Sequence, residues 1–426
     1  MIDTIDRLLQ QVSQDRPELS FGLKLWDGSE RRYGQGEPVF VLELRTPEAA
    51  TDVVARGSLG FGEAYMTGRL DVQGDLQALL AFESHPAVRE MHFSALDKGK
   101  FLASYLRSRN NARRARDNVR HHYDLGNDFY RLWLDESMTY SCAYWREDCA
   151  TLEQAQAAKY EHLCRKLQLE AGDRLVDIGC GWGGMLAYAA RTYEVQGVGY
   201  TLSTEQCQWA NEKLRAEGLY PRVRVELEDY RKAEGEFNKF VSIGMFEHVG
   251  KEFYATFFEK AAGLLTPQAI GVLHTIGKDL ATEIDPWLVK YIFPGGYLPT
   301  VAQISEPLAR SGFVLTDLEN LRPHYGRTLD EWAARFEAHR DEVAARFGDE
   351  FVRMWRYYLN GSAVGFKTGG IRLYQVTFTR GLRDLPWTRE CLYTRVPKLG
   401  EHQQSSKPER PTNVLHQQQK MQLVDG

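Results

Sequence analysis

Six cysteines (Cys142, Cys149, Cys164, Cys180, Cys207, Cys391) are scattered through 426 residues with no C-x-x-C pair among them. That absence argues against a zinc ribbon or a thioredoxin-like dithiol. No stretch approaches the roughly 18 uncharged apolar residues that a membrane-crossing helix needs. The first residues, MIDTIDRLLQ, carry early acids and no long apolar run, so no secretory leader is expected. An excess of one charge is also missing. Lysine plus arginine number 53 and aspartate plus glutamate 58, leaving a net charge of -5. That balance gives no global electrostatic case for nucleic acid. There is no internal repeat. What is there, 43% hydrophobic and 26% charged residues, is globular. A chain of this length buries a large core without staples and divides into two or three domains. The expectation is a reduced, cytoplasmic protein.

Residues 1–95 mix short apolar runs such as PVFVLEL with turn signals such as WDGSE and YGQGEP, which fits a small α+β domain. Residues 96–122 are basic. Residues 123–395 alternate helical periodicity with short apolar strands. Residues 396–426 are polar, glutamine-rich and free of aromatics, and are expected to be disordered. In the third segment, capping boxes at Thr151–Gln154, Ser203–Gln206 and Thr300–Gln303 open helices. RLVDIG, VQGVGY, VRVELED, KFVSIGM, AIGVLHTIG, FVLTDLEN and IRLYQVTFTRG read as strands, with two long helices between the last two. The pattern predicts an α/β fold, a doubly wound, Rossmann-like parallel sheet of seven strands with helices on both faces.

The turn after the first of these strands reads Asp177-Ile178-Gly179-Cys180-Gly181-Trp182-Gly183-Gly184. Glycines there allow a sharp strand-to-helix turn and close approach of a ligand. Gly179, Gly181 and Gly184 satisfy G-x-G-x-x-G, so a dinucleotide must be weighed. That motif wants an acid about 20 residues later for the ribose, and the second strand ends instead in Thr201-Leu202-Ser203. The alternative is S-adenosylmethionine, with Asp177 near its cationic methionine end and Asp229-Tyr230 beside its adenine. The turn alone leaves both open.

Longer strings go further: HHYDLGNDFY (121–130), MTYSCAYW (138–145), LVDIGCGWGG (175–184), MFEHVG (245–250), LHTIG (273–277), YIFPGGYLP (291–299) and RPHYGRTL (322–329). In their order they resemble the cyclopropane-fatty-acyl-phospholipid synthases and the related mycolic acid cyclopropane synthases. GSLGFGEAYMTGRLDV (57–72) is similar to the N-terminal domain of the longer, phospholipid-acting forms. The resemblance implies a methyltransferase sheet. It implies transfer of the methyl of S-adenosylmethionine to a cis double bond in a membrane acyl chain, then proton loss to bicarbonate and ring closure. A close variant of the same chemistry gives methyl-branched or methylene products.

Carried over by motif, the cofactor pocket comprises Tyr140, Ser141, Asp177, Gly179, Gly181, Thr201, Gln206, Asp229 and Tyr230. The bicarbonate pocket comprises Cys142, Glu247, His274, Ile276 and Tyr325. There, backbone amides of Cys142 and Ile276 and side chains of His274 and Tyr325 donate, and Glu247 accepts the bicarbonate hydroxyl. Tyr123 would line the junction of the two pockets. Each residue also has a plainer reading: Glu247-His248 as a solvated pair, His274 as a core histidine, Cys142 as an inert thiol, Tyr325 as a surface tyrosine, Asp229 as a helix cap. No metal is expected. The resemblance also suggests a homodimer.

Between Lys98 and Arg120 lie eight basic residues (Lys98, Lys100, Arg107, Arg109, Arg113, Arg114, Arg116, Arg120) and one acid, Asp117. Phe101, Leu102, Tyr105 and Leu106 accompany the first of them. A basic helix of this kind can lie on an anionic membrane; the plainer reading is a solvated linker. The expectation is peripheral attachment to the inner face of the membrane through this helix and a lipid-engaging N-terminal domain.

Overall fold

The computed structural model describes residues 2–89 and 125–393. The basic segment, Tyr123 and the tail from 396 lie outside the described residues. Two compact units emerge, residues 1–384 and 385–426. The described part of the second holds one short helix, Glu390–Tyr393.

The N-terminal part is a four-stranded sheet of β1 (Phe21–Lys24), β2 (Glu30–Tyr33), β3 (Phe40–Leu44) and β4 (Leu70–Gly74), in the order β2-β1-β3-β4. β1 and β3 are parallel and the other pairs antiparallel. The helix Ile2–Asp15 buries Ile5, Leu9 and Val12, one stripe at helical spacing.

The expected seven strands all form: β5 (Arg174–Ile178), β6 (Gln196–Thr201), β7 (Val223–Leu227), β8 (Phe237–Ile243), β9 (Leu265–Gly277), β10 (Phe313–Asn320) and β11 (Arg372–Arg380). Their order is β10-β11-β9-β8-β5-β6-β7. Phe240, Phe257, Phe258, Phe313 and Phe378 cluster in one core, and Leu163, Leu186, Val195, Val223 and Val241 in another. The order reverses beside β5, whose neighbours are β6 and β8. Such a switch point opens a crevice at the carboxyl ends of the strands.

Two features differ from the expectation. β11 is antiparallel to both β9 and β10, so the sheet is not wholly parallel. The two expected long helices, Arg322–Ala338 and Asp349–Lys367, separate β10 from β11, but a short one, Arg340–Phe347, stands between them. The first difference has a topological cause. The chain leaves β10 at its carboxyl end and re-enters the sheet at that same end, and a strand begun there can only run antiparallel. The helices between are thereby held over the ligand-binding edge.

The same helices carry the N-terminal sheet. Arg353 donates to the Leu70 carbonyl at 2.8 Å and meets Asp71 at 3.0 Å. Gln77 Nε2 donates to Asp330 and Asn360 at 2.9 and 3.0 Å. Trp287 packs so closely on Gly62 that a Cβ there would lie 2.4 Å from the indole. One hydrophobic core runs from Phe21 and Phe40 through Tyr65 to Trp355 and Trp133. No described helix is long and apolar enough to cross a membrane.

Candidate active site

The helix Leu152–Lys166 positions the front wall. Its capping box forms as expected, with Thr151 and Gln154 bonded reciprocally. The buried stripe is Leu152, Ala155, Gln156, Lys159, Tyr160 and Leu163, so a glutamine and a lysine stand where apolar residues belong. Gln156 Nε2 donates to the Ser141 carbonyl at 3.0 Å, and Lys159 Nζ donates to Ser141 Oγ at 2.8 Å. These bonds fix the segment 138–141 against the carboxyl ends of β5 to β8.

One cavity opens there, and all nine expected cofactor residues line it: Tyr140, Ser141, Asp177, Gly179, Gly181, Thr201, Gln206, Asp229 and Tyr230. Gly179 takes φ +79°, and a Cβ there would stand 2.4 Å from the Met245 side chain. Gly181 takes φ +55° with open space where a Cβ would project. The turn thus bends where only glycine fits and leaves room for a ligand against its backbone. Asp177 Oδ1 is buried without a hydrogen-bond partner among the described residues. Burial pushes its carboxyl up to about 7. An orphaned buried carboxylate oxygen invites a cationic ligand group.

The Ser203–Gln206 box forms only by half. Ser203 accepts from the Gln206 amide, but the Gln206 side chain accepts instead from Thr201 Oγ1 at 2.8 Å. Both residues belong to the cavity wall. Asp229 fulfils both of its readings, since it lines the cavity and caps the turn Tyr230–Lys232. Its carboxylate also holds Arg231 at 2.6 and 2.8 Å.

None of the five residues expected for the anion lines this cavity, but their neighbours Ser141 and His248 do. Glu247 is buried, not solvated. Its Oε1 accepts the Ile276 amide at 2.6 Å, while its Oε2 is unpartnered among the described residues. The Ile276 amide expected to donate to the anion thus donates here to Glu247. Burial pushes the Glu247 carboxyl up to about 7. His274 is buried on β9. Gln375, its partner across to β11, donates to Nδ1 at 3.1 Å. That bond leaves the proton on Nε2, a buried donor without a partner among the described residues. Burial holds the ring well below its usual pKa, and hence neutral. The Gly244 amide donates to the His274 carbonyl at 2.8 Å, which ties this strand to the loop bearing Glu247.

Cys142 is fully buried, and burial raises its thiol, which fits the plainer reading of an inert thiol. Tyr325 is half-buried and stacks on Phe366 at 4.4 Å. Two polar residues escaped the sequence argument. Lys159 was legible as a charge on an apolar helical stripe, and Gln375 as an amide inside a strand buried on both faces.

A sheet that switches direction beside β5, and a glycine turn opening on an orphaned acid, define the class as Rossmann-like S-adenosylmethionine-dependent methyltransferases. Residues 110–376 match the family described as mycolic acid cyclopropane synthetase, and residues 8–89 match a domain of unknown function, DUF7884. A cyclopropane-fatty-acyl-phospholipid synthase of Escherichia coli is 42% identical over 349 residues, covering 80% of this chain and 88% of that one. A probable fatty acid methyltransferase of Pseudomonas putida is 37% identical over 387 residues, covering 88% and 96%. The crystal structure of mycolic acid cyclopropane synthase CmaA1, complexed with SAH and CTAB, superimposes with a TM-score of 0.59 at 36% identity, covering 62% of this chain and 98% of that one. The chain belongs to the mycolic acid cyclopropane synthetase family.

Proposed function

We propose that the protein converts the cis double bond of an unsaturated phospholipid acyl chain into a cyclopropane ring, with S-adenosylmethionine as carbon donor. The observation that carries this reading is Glu247, a buried carboxylate with one oxygen unpartnered, one residue from the wall of the cofactor cavity. A methyltransferase acting on nitrogen or oxygen removes a proton held by that heteroatom, whereas ring closure on an alkene removes one from carbon, beside a cation in an apolar interior.

S-adenosylmethionine supplies an electrophilic methyl group on a sulfonium. The alkene π pair bonds to that carbon as the carbon–sulfur bond breaks. The neighbouring carbon is left cationic. One proton then leaves the new methyl group, and its C–H electron pair closes the ring. Tyr140, Trp133, Trp332 and Tyr130 pack ring against ring at 5.3 to 5.6 Å beside the cavity. Aromatic faces stabilise a cation without trapping it.

Bicarbonate is the proposed base. His274 Nε2–H and Tyr325 would donate to it, with the Cys142 backbone. Glu247 Oε2 would accept its hydroxyl, a pairing that joins two anions through one shared proton. Gln375 keeps the His274 proton on the useful nitrogen. The basic segment 96–122 and the N-terminal domain are assigned to membrane attachment.

The test is mass spectrometry of acyl chains after incubation with cis-unsaturated phospholipid vesicles, bicarbonate and S-adenosylmethionine bearing a fully deuterated methyl. A cyclopropane chain keeps two of the three deuterons, and Glu247→Gln should abolish it. A product holding all three identifies a methyl-branching enzyme and refutes ring closure.

A further inference from the structure

The proposed chemistry leaves one buried charge without a task. Lys159 is 1% exposed on the apolar stripe of its helix. Burying an ammonium costs several kcal/mol unless it is paired. Its one hydrogen bond is to the neutral Ser141 hydroxyl at 2.8 Å, and no carboxylate among the described residues is bonded to it. The ammonium also stands 4.4 Å from the centre of the Tyr160 ring, but neither that ring nor the hydroxyl is an anion, and an ammonium has three protons to donate. Asp135, Cys142 and Asp177 are the groups whose charge it feels, and burial draws its pKa down to about 7.

Lys159, Ser141 and Asp177 line the same cavity. The methionine end of S-adenosylmethionine is a zwitterion, an ammonium beside a carboxylate. Asp177 is the anion suited to the first. Three basic side chains line the cavity and could meet the second: Lys159, Arg231 and His248. Arg231 is held twice by Asp229. Burial lowers His248 to about 4, so it carries no charge at neutral pH. Lys159 remains.

We infer that Lys159 is the residue that receives the methionine carboxylate of S-adenosylmethionine, with the Ser141 hydroxyl beside it. The inference rests on the proposed function for the identity of the ligand. It predicts selectivity for the carboxylate, not merely for the nucleoside. A lysine that only propped the loop 138–141 would confer none.

Calorimetric titration of the full chain with S-adenosylmethionine and with its decarboxylated analogue separates these roles. Lys159→Met fills the same stripe position without charge, and Lys159→Gln keeps a donor for Ser141. Each should weaken S-adenosylmethionine binding by about 10- to 100-fold, the range of one charge-assisted hydrogen bond. Each should change binding of the decarboxylated analogue by less than about 3-fold. Either variant alone decides if the other does not fold. Equal weakening of both ligands overturns the inference and makes Lys159 a prop. A wild-type chain that binds neither ligand refutes the proposed function and this inference with it. Binding of S-adenosylmethionine with no selectivity over the analogue refutes this inference alone.

Discussion

Glu247→Gln should cost the enzyme its reaction and yet stabilise the fold, by an amount that depends on pH in one direction. Burial raises the Glu247 carboxyl from an ordinary value near 4.5 to about 7. Between those values the folded protein binds more protons at this group than the unfolded chain does. Stability therefore falls as pH rises through that window. Moving the group this far corresponds to about 3 kcal/mol at the upper end. Glutamine can keep the oxygen that accepts from Ile276, and it has no such titration. Its NH2 group, in place of Oε2, lacks a partner among the described residues, a pH-independent penalty of about 1 to 3 kcal/mol. Thermal melts of both proteins from pH 4.5 to 8.5 measure the difference, in which every other titrating group cancels. The variant should gain on the wild type as pH rises to about 7, and the gain should then level off. At roughly 2 °C per kcal/mol for a chain this long, the change is several degrees. A melting difference that stayed flat across pH would refute the buried carboxylate. One that moved the other way would mean that Glu247 is ionised and paired in the folded protein.

Gly62→Ala puts a Cβ 2.4 Å from the Trp287 indole; overpacking of about 1 to 3 kcal/mol should lower the melting temperature by several degrees, and unchanged melting would show that this contact does not hold the N-terminal domain. Gln375→Leu should lower turnover by about 10- to 100-fold through the His274 tautomer, with the dissociation constant of S-adenosylmethionine unchanged in titration. Burial works against ionisation of Glu319, but the His162 ring and the Lys166 ammonium overcome it and hold the carboxyl at about 2. Its stabilisation is full above pH 4.5 and disappears as pH falls toward 2. Glu319→Gln should therefore destabilise the protein at neutral pH by about 3 kcal/mol, and by less in acid melts. Reversing the charge of Arg113, Arg114 and Arg116 should release the protein from anionic vesicles in a flotation assay; unchanged flotation would place membrane attachment elsewhere.

The parts legible in the sequence were those with short-range causes. Seven strands, the glycine turn and two complete capping boxes all follow from spacing within a few residues. The third box was half wrong because the Gln206 side chain turns to Thr201 at the cavity. The helical region before β11 breaks at His339 without glycine or proline, so only the second break, at Gly348 with φ +84°, left a signal. The union of the N-terminal sheet with those helices depends on pairs such as Met66 and Trp287, 221 residues apart, and no local pattern encodes such a pair. The bond between Ile276 and Glu247 was hidden for the same reason, since that distance closes only once β8 and β9 are paired.

The buried ionisable groups of the site share a property that their individual roles do not explain. Glu247 and Asp177 are pushed up to about 7, and Lys159 is drawn down to about 7. His274 and His248 are held neutral. Near neutral pH, then, Asp177, Glu247 and Lys159 stand close to their midpoints of titration, while the fully charged Asp229 and Arg231 of the cavity wall compensate each other. That suits a reaction whose intermediate is a carbocation. A permanent carboxylate within reach would collapse onto it, and a permanent ammonium would raise its energy. Groups poised near 7 escape both faults. On the inference above, the zwitterionic end of the cofactor would draw Asp177 and Lys159 into their charged forms as it binds and would compensate each. Glu247 can share a proton with the anion it holds and need not face the cation as a bare carboxylate. Burial is thus the device that makes the charge of this site conditional on its ligands.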